Sequence, residues 1–516
     1  MPVPEAPFRS FVEEILDGLA HTPEREKIVG EETRLTGARA LDLVHRTARA
    51  LRDLGVDRGT TVALLGDNEP HLMTTRYAAN LLGAAVTQPH LGLAADTQAR
   101  ILADADTGVL VAAAPAVDRA AALTRLTPIP TTLVLGPVPP TAPPGALDLL
   151  ALARDRDPAP LASRARPEDV CAIRHTGGTT GTPKSIRTTF GRVRLAGLVR
   201  RFFGDTVPRD LVCTPLAHLA GHMADLALAA GGTVILQPSF DPGAVLAAVA
   251  REGVTHTFLL PPLLYRLLDH PDLDRTDTST LRLINYGGTP AAPARVAQAV
   301  RRFGPILQQG YGQAEAGSVS VLTPAEHDPD RPDLLGSAGR LLPGVDVEIR
   351  DPEGRPLPPG EVGEICVRSA QTMPGYWRAP EATARVLRDG WIHTGDLGRL
   401  DDGDLLTLVD RAHDVIVVVG GHVYPTEVER LLDGVPGVRE SAVYGVVDED
   451  RVERVHVTAA LTPGSAQTPD TLAALIRDRL GATHDPHRVD LVDALPLTPT
   501  GKPDKRELRR RARANP

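Results

Sequence analysis

Residues 171–187, CAIRHTGGTTGTPKSIR, concentrate groups suited to binding an anion. Thr176, Gly177, Gly178, Thr179, Thr180, Gly181, Thr182, Pro183 and Lys184 put three glycines, four threonines and a lysine into nine residues. Adjacent glycines let the backbone bend tightly around a ligand, since glycine reaches positive φ without steric cost. The loop's N–H groups and threonine hydroxyls can then face phosphate oxygens, and Lys184 supplies a mobile positive charge. The composition suits a polyphosphate. It is not a Walker loop, which needs Gly-Lys-Ser/Thr, because Pro183 separates Gly181-Thr182 from Lys184. The plain alternative is a Gly/Thr turn with no ligand. A second group of interest is the pair His218 and His222, four residues apart with Asp225 nearby. That spacing suits zinc, but there is no HExxH glutamate and no other ligand cluster beside it.

The short apolar run 170–173 predicts a strand that feeds the loop. Apolar residues at helical spacing (Leu41, Val44, Ala48, Leu51, Leu54) predict a helix over 36–54, with Gly55 as its stop. A β run at 61–65 and a helix around 74–82 follow, and the alternation points to an α/β layer with parallel strands. Residues 136–167, rich in Pro and Ala, read as a surface connection with little structure of their own. From 188 to 330 the alternation resumes, with strands at 233–236, 255–260 and 281–285 and helices at 244–251 and 293–303. Short strands at 345–350, 364–368 and 405–409, joined by Gly/Pro turns, predict a small antiparallel β unit over 336–410. Beyond 411 a compact α/β pattern appears: strand 415–419, helix 426–432, strands 438–447 and 455–461, helix 470–480.

Bulk properties bound the partners. The 516 residues carry 56 Lys+Arg against 65 Asp+Glu, a net charge of −9 that argues against a general nucleic-acid binder. The basic run 506–513 then reads as a solvated helix end. Cys171, Cys213 and Cys366 are far apart, with no metal-ligand spacing and no obvious disulfide set, which fits a reducing, cytoplasmic location. No run approaches the ~18 apolar residues of a membrane span, and the N-terminus does not read as a signal peptide.

The loop resembles the phosphate-binding signature Thr-Ser-Gly-Thr-Thr-Gly-x-Pro-Lys-Gly of the AMP-forming adenylating enzymes: acyl- and aryl-CoA synthetases, peptide-synthetase adenylation domains and luciferases. Gly177 stands where Ser is usual and Ser185 where Gly is usual, and Arg174 and His175 are unusually polar. Three further stretches follow in the family's order. Gln309-Gly310-Tyr311-Gly312-Gln313-Ala314-Glu315 resembles its Tyr-Gly-x-Thr-Glu motif. The resemblance implies that Tyr311 packs on adenine and Glu315 holds Mg²⁺, which typically takes only one or two protein carboxylates. Ala314 replaces a Thr whose hydrogen bond is worth about 0.5–1.5 kcal/mol. Trp391-Ile392-His393-Thr394-Gly395-Asp396 implies that Asp396 accepts from both ribose hydroxyls, as suits an acceptor-only carboxylate, with Arg411 on ribose or phosphate. Pro496-Leu497-Thr498-Pro499-Thr500-Gly501-Lys502 resembles the C-terminal lysine motif and implies that Lys502 stabilises charge as the adenylate forms. Gly287, Gly288 and Thr289 fall where the family's backbone flanks adenine. The resemblance, which runs from about Thr36 to Arg506, thus assigns Thr176, Gly177, Gly178, Thr179, Thr180, Gly181, Lys184, Gly287, Gly288, Thr289, Tyr311, Gly312, Gln313, Glu315, Asp396 and Arg411 to ATP and Mg²⁺, and Lys502 to catalysis. His218 falls where a residue gates the carboxylate pocket.

The family implies an α/β fold with a large N-terminal domain (1–413) of two α/β layers plus a β-barrel. A small mobile α+β C-terminal domain (414–516) would be hinged at Asp414. It implies an AMP-forming ligase of the acid–thiol type, which activates a small-molecule carboxylate with pyrophosphate release and passes the acyl group to coenzyme A or a carrier protein. The loop 419–424 would line the thiol's path. One alternative keeps the chemistry but applies it to nitrite, diazotising an aryl amine; the altered anion-handling loops motivate it. A second, of a different class, is a non-catalytic acyl- or nucleotide-binding protein. Lys502, Glu315 and Asp396 together count against that one. Asp241, followed by a helix, does not read as an amino-acid anchor.

Overall fold

A computed structural model describes residues 8–176, 184–204, 206–412, 414–418, 421–447, 452–498 and 501–514. The chain divides into two compact units: Met1–Phe258 with Thr276–Arg282 and Met373–Pro380, and Leu259–Arg275 with Leu283–Thr372 and Glu381–Pro516.

The first unit contains two sheets. One has seven strands in the order Leu147–Asp148, Thr131–Leu135, Thr107–Ala113, Thr61–Leu65, Ala85–Thr87, Val170–Thr176, Lys184–Thr189. Its strands run parallel until the last pair, which is antiparallel and brings Thr176 opposite Lys184. The other places His256–Leu259, Arg209–Val212, Thr233–Leu236, Glu26–Val29 and Arg34–Thr36 side by side. One apolar core joins Val62 and Leu64 of the first sheet to Val234 and Leu236 of the second. It runs through helices Phe11–Ala20, Gly37–Asp53, Pro70–Leu81 and Leu219–Ala229. Helix Gly37–Asp53 shows how pattern becomes packing. The Thr36 side chain accepts from Arg39 N–H and caps its start, and Val44, Ala48 and Leu51 are fully buried.

The second unit is built on strands Leu283–Gly287, Leu307–Gln313, Gly317–Leu322, Gly339–Leu341, Leu405–Arg411, Trp391–Leu400, Gly363–Ser369 and Val345–Arg350, in that spatial order. The first two are parallel and the others antiparallel. A separate sheet follows, with Val438–Val447 antiparallel to Glu453–Leu461, which runs parallel to Arg488–Val492. Helices Pro425–Asp433 and Pro469–Leu480 bury Val428, Leu432, Leu472 and Ile476 with Val443 and Val457 of this sheet. The basic run forms helix Lys505–Ala514, which buries Leu508 and Ala512, while Glu507 pairs with Arg510 and Arg511.

The α/β class and the alternation are as the sequence implies. Residues 136–167, read as a connection with little structure of their own, hold two short elements. Strand Leu147–Asp148 and helix Leu149–Arg154 lie there, started by an Asp148 cap on Ala151 N–H and anchored by buried Leu149 and Ala153. Six helical residues flanked by prolines show too little periodicity to be seen in sequence. Among the described residues no helix is long and apolar enough to cross a membrane.

Candidate functional site

In the second unit, four of the proposed nucleotide residues meet around one carboxylate. Asp396 is only 7% exposed. Its Oδ2 accepts from the Tyr311 hydroxyl at 2.8 Å and from Gln313 Nε2 at 2.6 Å. Arg411 Nε lies 3.3 Å from Oδ1. A carboxylate offers about four lone-pair sites, so these donors orient it and leave acceptor capacity on Oδ1. Burial, and then the Asp396 charge, push the Tyr311 phenol well above its ordinary value, so it acts as a donor.

The backbone explains why Asp396 points where it does. On the facing strands Glu364 pairs with Leu397, and Cys366 pairs with His393. Between these pairs Ile365 alone opposes Thr394, Gly395 and Asp396, and the extra residues form a bulge. Gly395 takes φ +68° there, a left-handed conformation that glycine adopts without penalty. Glu364 Oε1 accepts from Gly395 N–H at 3.1 Å, and Thr394 Oγ1 accepts from Asp396 N–H at 3.1 Å. Trp391 begins the same strand, with the Arg350 and Arg368 guanidinium carbons 4.9 and 4.5 Å from its ring centroid.

Lys502 belongs electrostatically to this group. Burial lowers its ammonium to about 8, assisted by the Arg411 charge and opposed by Asp396. Its loop is held by Thr498 N–H to Lys502 C=O at 2.7 Å and by Lys502 N–H to Thr498 Oγ1 at 3.1 Å.

Gly287 pairs with Gly310 on parallel strands, and a Cβ on Gly287 would lie 2.4 Å from Gly310 C=O. Only glycine permits that approach, which leaves backbone bare of side chains. Thr289 Oγ1 is buried without a hydrogen-bond partner. Glu315 lies half-buried two residues beyond strand Leu307–Gln313, whereas Gly312, Gly288 and Ala314 are exposed.

In the first unit, Gly177, Gly178, Thr179, Thr180 and Gly181 lie outside the described residues. The hairpin that frames them is described. Lys184 Nζ sits 4.9 Å from the Tyr376 ring centroid. Ser185, unusual for this motif, is 2% exposed. Its hydroxyl donates to Asp104 on helix Ala95–Asp104, while its C=O accepts from Trp377 N–H at 2.8 Å. His175 Nε2 is buried with no partner, and burial pushes the ring down to about 4, so it is neutral near pH 7. Arg174 is exposed.

His218 is exposed and starts helix Leu219–Ala229, while His222, one turn on, is pushed down to about 4 chiefly by burial. Asp225 is engaged by Arg76 and, at 2.8 Å, by the Tyr77 hydroxyl. The histidine pair and Asp225 form no metal-ligand cluster among the described residues. Asp241 caps helix Pro242–Glu252 by accepting from Ala244 N–H at 2.8 Å, so its carboxylate is committed to the fold.

Comparison with known proteins identifies the family. The family described as AMP-binding enzyme matches residues 17–377, and the AMP-binding enzyme C-terminal domain matches 427–502. Medium/long-chain-fatty-acid–CoA ligase FadD8 of Mycobacterium tuberculosis is 37% identical over 495 residues, covering 93% of this chain and 86% of its own. Feruloyl-CoA synthase of an Amycolatopsis species is 37% identical over 486 residues, covering 93% and 94%. The solved structure of amide bond synthetase McbA from Marinactinospora thermotolerans superposes with a TM-score of 0.87 at 40% identity, covering 97% and 99%.

Proposed function

The chain belongs to the AMP-binding enzyme family, an ATP-dependent acyl-activating ligase by its relatives, and from that premise we propose that it adenylates an aliphatic or aryl carboxylate and transfers the acyl group to coenzyme A. The observation that carries the reading is the oriented Asp396 carboxylate with Lys502 in its electrostatic neighbourhood. Asp396 accepts the ribose hydroxyls, Arg411 steadies ribose or phosphate, and the bare backbone at Gly287 and Gly288, with Thr289 and Tyr311, receives the adenine. Thr176, Lys184 and the loop between them hold the phosphates, and His218 gates the acid. Glu315 would hold Mg²⁺. A single half-buried carboxylate fits that ion, which keeps most of its waters, and the ion's contribution is to offset phosphate charge.

The acid's oxygen attacks the α-phosphorus and pyrophosphate leaves. Lys502, cationic below about pH 8, lies against the negative charge shared by the carboxylate and the α-phosphate and stabilises it as it develops. In the second half-reaction, residues 414–516 turn about Asp414 as a domain. The motion breaks the bonds from Thr426 N–H to Asp410 (2.8 Å) and from Arg430 to the C=O of Leu408 and Gly336 (3.0 and 3.1 Å). Lys502 leaves, and the thiol approaches past residues 419–424.

The likeness to an amide bond synthetase at 40% identity supports a second reading in which the acceptor is an amine. One experiment tests both. AMP release is measured with a panel of aliphatic and aryl acids, and with nitrite plus an aryl amine. Coenzyme A and a panel of amines are then compared as acceptors by mass spectrometry. Acid-dependent AMP release with a coenzyme A thioester as product supports the leading reading. Amide as the main product selects the second, and no AMP with any acid or with nitrite overturns both.

A further inference from the structure

The two strands that carry the bulge also bring together three potential metal ligands. Glu364 and Cys366 stand two apart on Gly363–Ser369 and so share a face. His393 faces Cys366 across the strand pair. One ligand atom from each residue lies within 4.8 Å of the other two. His393 Nδ1 is 2.8 Å from Glu364 Oε2 and 3.5 Å from Cys366 Sγ. The thiol is free and buried, whereas the Glu364 side chain is 30% exposed, so the cluster has one open side.

A sulfur, an imidazole nitrogen and a carboxylate oxygen around an open position match a borderline-soft ion that takes four tetrahedral ligands. Metal–ligand distances of about 2.0–2.3 Å imply separations of about 3.4–3.6 Å between ligand atoms in a tetrahedron. The observed sulfur–nitrogen spacing already falls there, and the nitrogen–oxygen pair must open by about 0.6 Å. Hard ions of the magnesium or calcium type prefer oxygen alone.

We propose that Glu364, Cys366 and His393 bind a divalent cation of the zinc class, with water as fourth ligand on the open side, and that its binding weakens the hold on nucleotide. Coordination releases the thiol proton to solvent, and the imidazole carries its remaining proton on Nε2. The coupling runs through Glu364. Its other oxygen accepts from Gly395 N–H, the residue before Asp396, and a cation that draws this carboxylate inward loosens the bulge. The coupling rests on the ribose role of Asp396; the cation site does not.

The test uses the full chain, stripped of metal with a chelator and desalted, and titrated with Co²⁺. The expected result is a near-ultraviolet sulfur-to-cobalt charge-transfer band that saturates at one equivalent and is displaced by Zn²⁺. Cys366→Ser removes the band, and His393→Gln weakens cobalt binding about tenfold or more. Cys171 and Cys213 remain in both variants, so the band reports Cys366 alone. A wild-type chain without the band, or a band that survives Cys366→Ser, overturns the site. Should Cys366→Ser fail to fold, the wild-type spectrum and His393→Gln still decide. For the coupling, the KM for ATP is measured at fixed Mg²⁺ with and without Zn²⁺, and it should rise about tenfold in wild type and not in Cys366→Ser. An unchanged KM overturns the coupling and leaves the site standing. Asp396→Asn reports separately on the ribose role: if its KM for ATP matches wild type, that role is what has failed.

Discussion

The Asp396 region and the Lys184 hairpin are organised in opposite ways. Around Asp396 nearly every polar group is committed, with Tyr311, Gln313 and Arg411 on the carboxylate and Glu364 and Thr394 on the backbone beneath it. Such a site is preorganised, and a preorganised donor or acceptor needs no reorganisation when the ligand arrives. In the hairpin the described contacts run to other elements of the same unit. Ser185 is bound to Asp104, Lys184 rests on an aromatic face, and His175 keeps a buried nitrogen without a partner. Four of this chain's departures, Gly177, Ser185, Arg174 and His175, fall in this second region, and one, Ala314, falls in the first. The contrast is one of commitment: the carboxylate is held by several donors, whereas Ser185 and Lys184 are held by their own surroundings.

The largest expected effect lies with Lys502. Lys502→Ala should slow adenylate formation about 10²–10³-fold, yet still convert supplied acyl-AMP to product, because in the proposed mechanism the transfer step runs without the lysine. Equal loss of both half-reactions, at an unchanged melting temperature, breaks the assignment. Next comes Asp396→Asn. Charged hydrogen bonds are worth about 1.5–3 kcal/mol each, so the KM for ATP should rise about 10–100-fold. Because Asp396 is buried beneath three donors, this variant should also lose about 1–3 kcal/mol of stability in a denaturant titration. An unchanged KM would refute the ribose role.

The pH profile is a subtler test. Lys502 must be charged to act, and its ammonium is depressed to about 8. The kcat/KM for adenylation, which reports the free enzyme, should therefore fall as pH rises through about 8. Lys502→Arg retains its charge throughout this range, so its remaining activity should show no such fall. The smallest effect concerns the hairpin. Ser185→Gly restores the residue usual for the motif and removes the bond to Asp104, at a cost of about 0.5–1.5 kcal/mol. Its melting temperature should drop slightly while the KM for ATP stays near wild type. A KM change as large as that of Asp396→Asn would erase the contrast between the regions.

Much of this was legible in sequence where the pattern is local. The helix read at 293–303 and the strands read at 345–350 and 438–447 coincide with Pro293–Phe303, Val345–Arg350 and Val438–Val447. The motif order placed Tyr311, Gln313, Asp396 and Arg411 in one functional group. What stayed hidden depends on pairing between distant strands. That Tyr311 donates to a carboxylate 85 positions away is written in no local spacing. Cys366, judged by cysteine spacing alone, shows no ligand set, because its partners are Glu364 on its own strand face and His393 across the register. The usable signal was the alternation in GEICV facing WIHTGD. The Ser185 substitution likewise becomes intelligible only once Asp104 is seen beneath it.

The chain has two tryptophans, and they fall one to each region. Trp377 is hydrogen-bonded to the hairpin through Ser185, and Trp391 opens the strand that ends its bulge at Asp396. Indole emission responds to the polarity and charge around the ring, and each ring here has a guanidinium against its face. Trp377→Phe and Trp391→Phe therefore yield two single-tryptophan proteins from one scaffold. In a stopped-flow instrument the first would record events at the Asp396 carboxylate and the second those at the Lys184 hairpin. The order in which nucleotide and acid engage the enzyme becomes a pair of optical traces, with no dye attached.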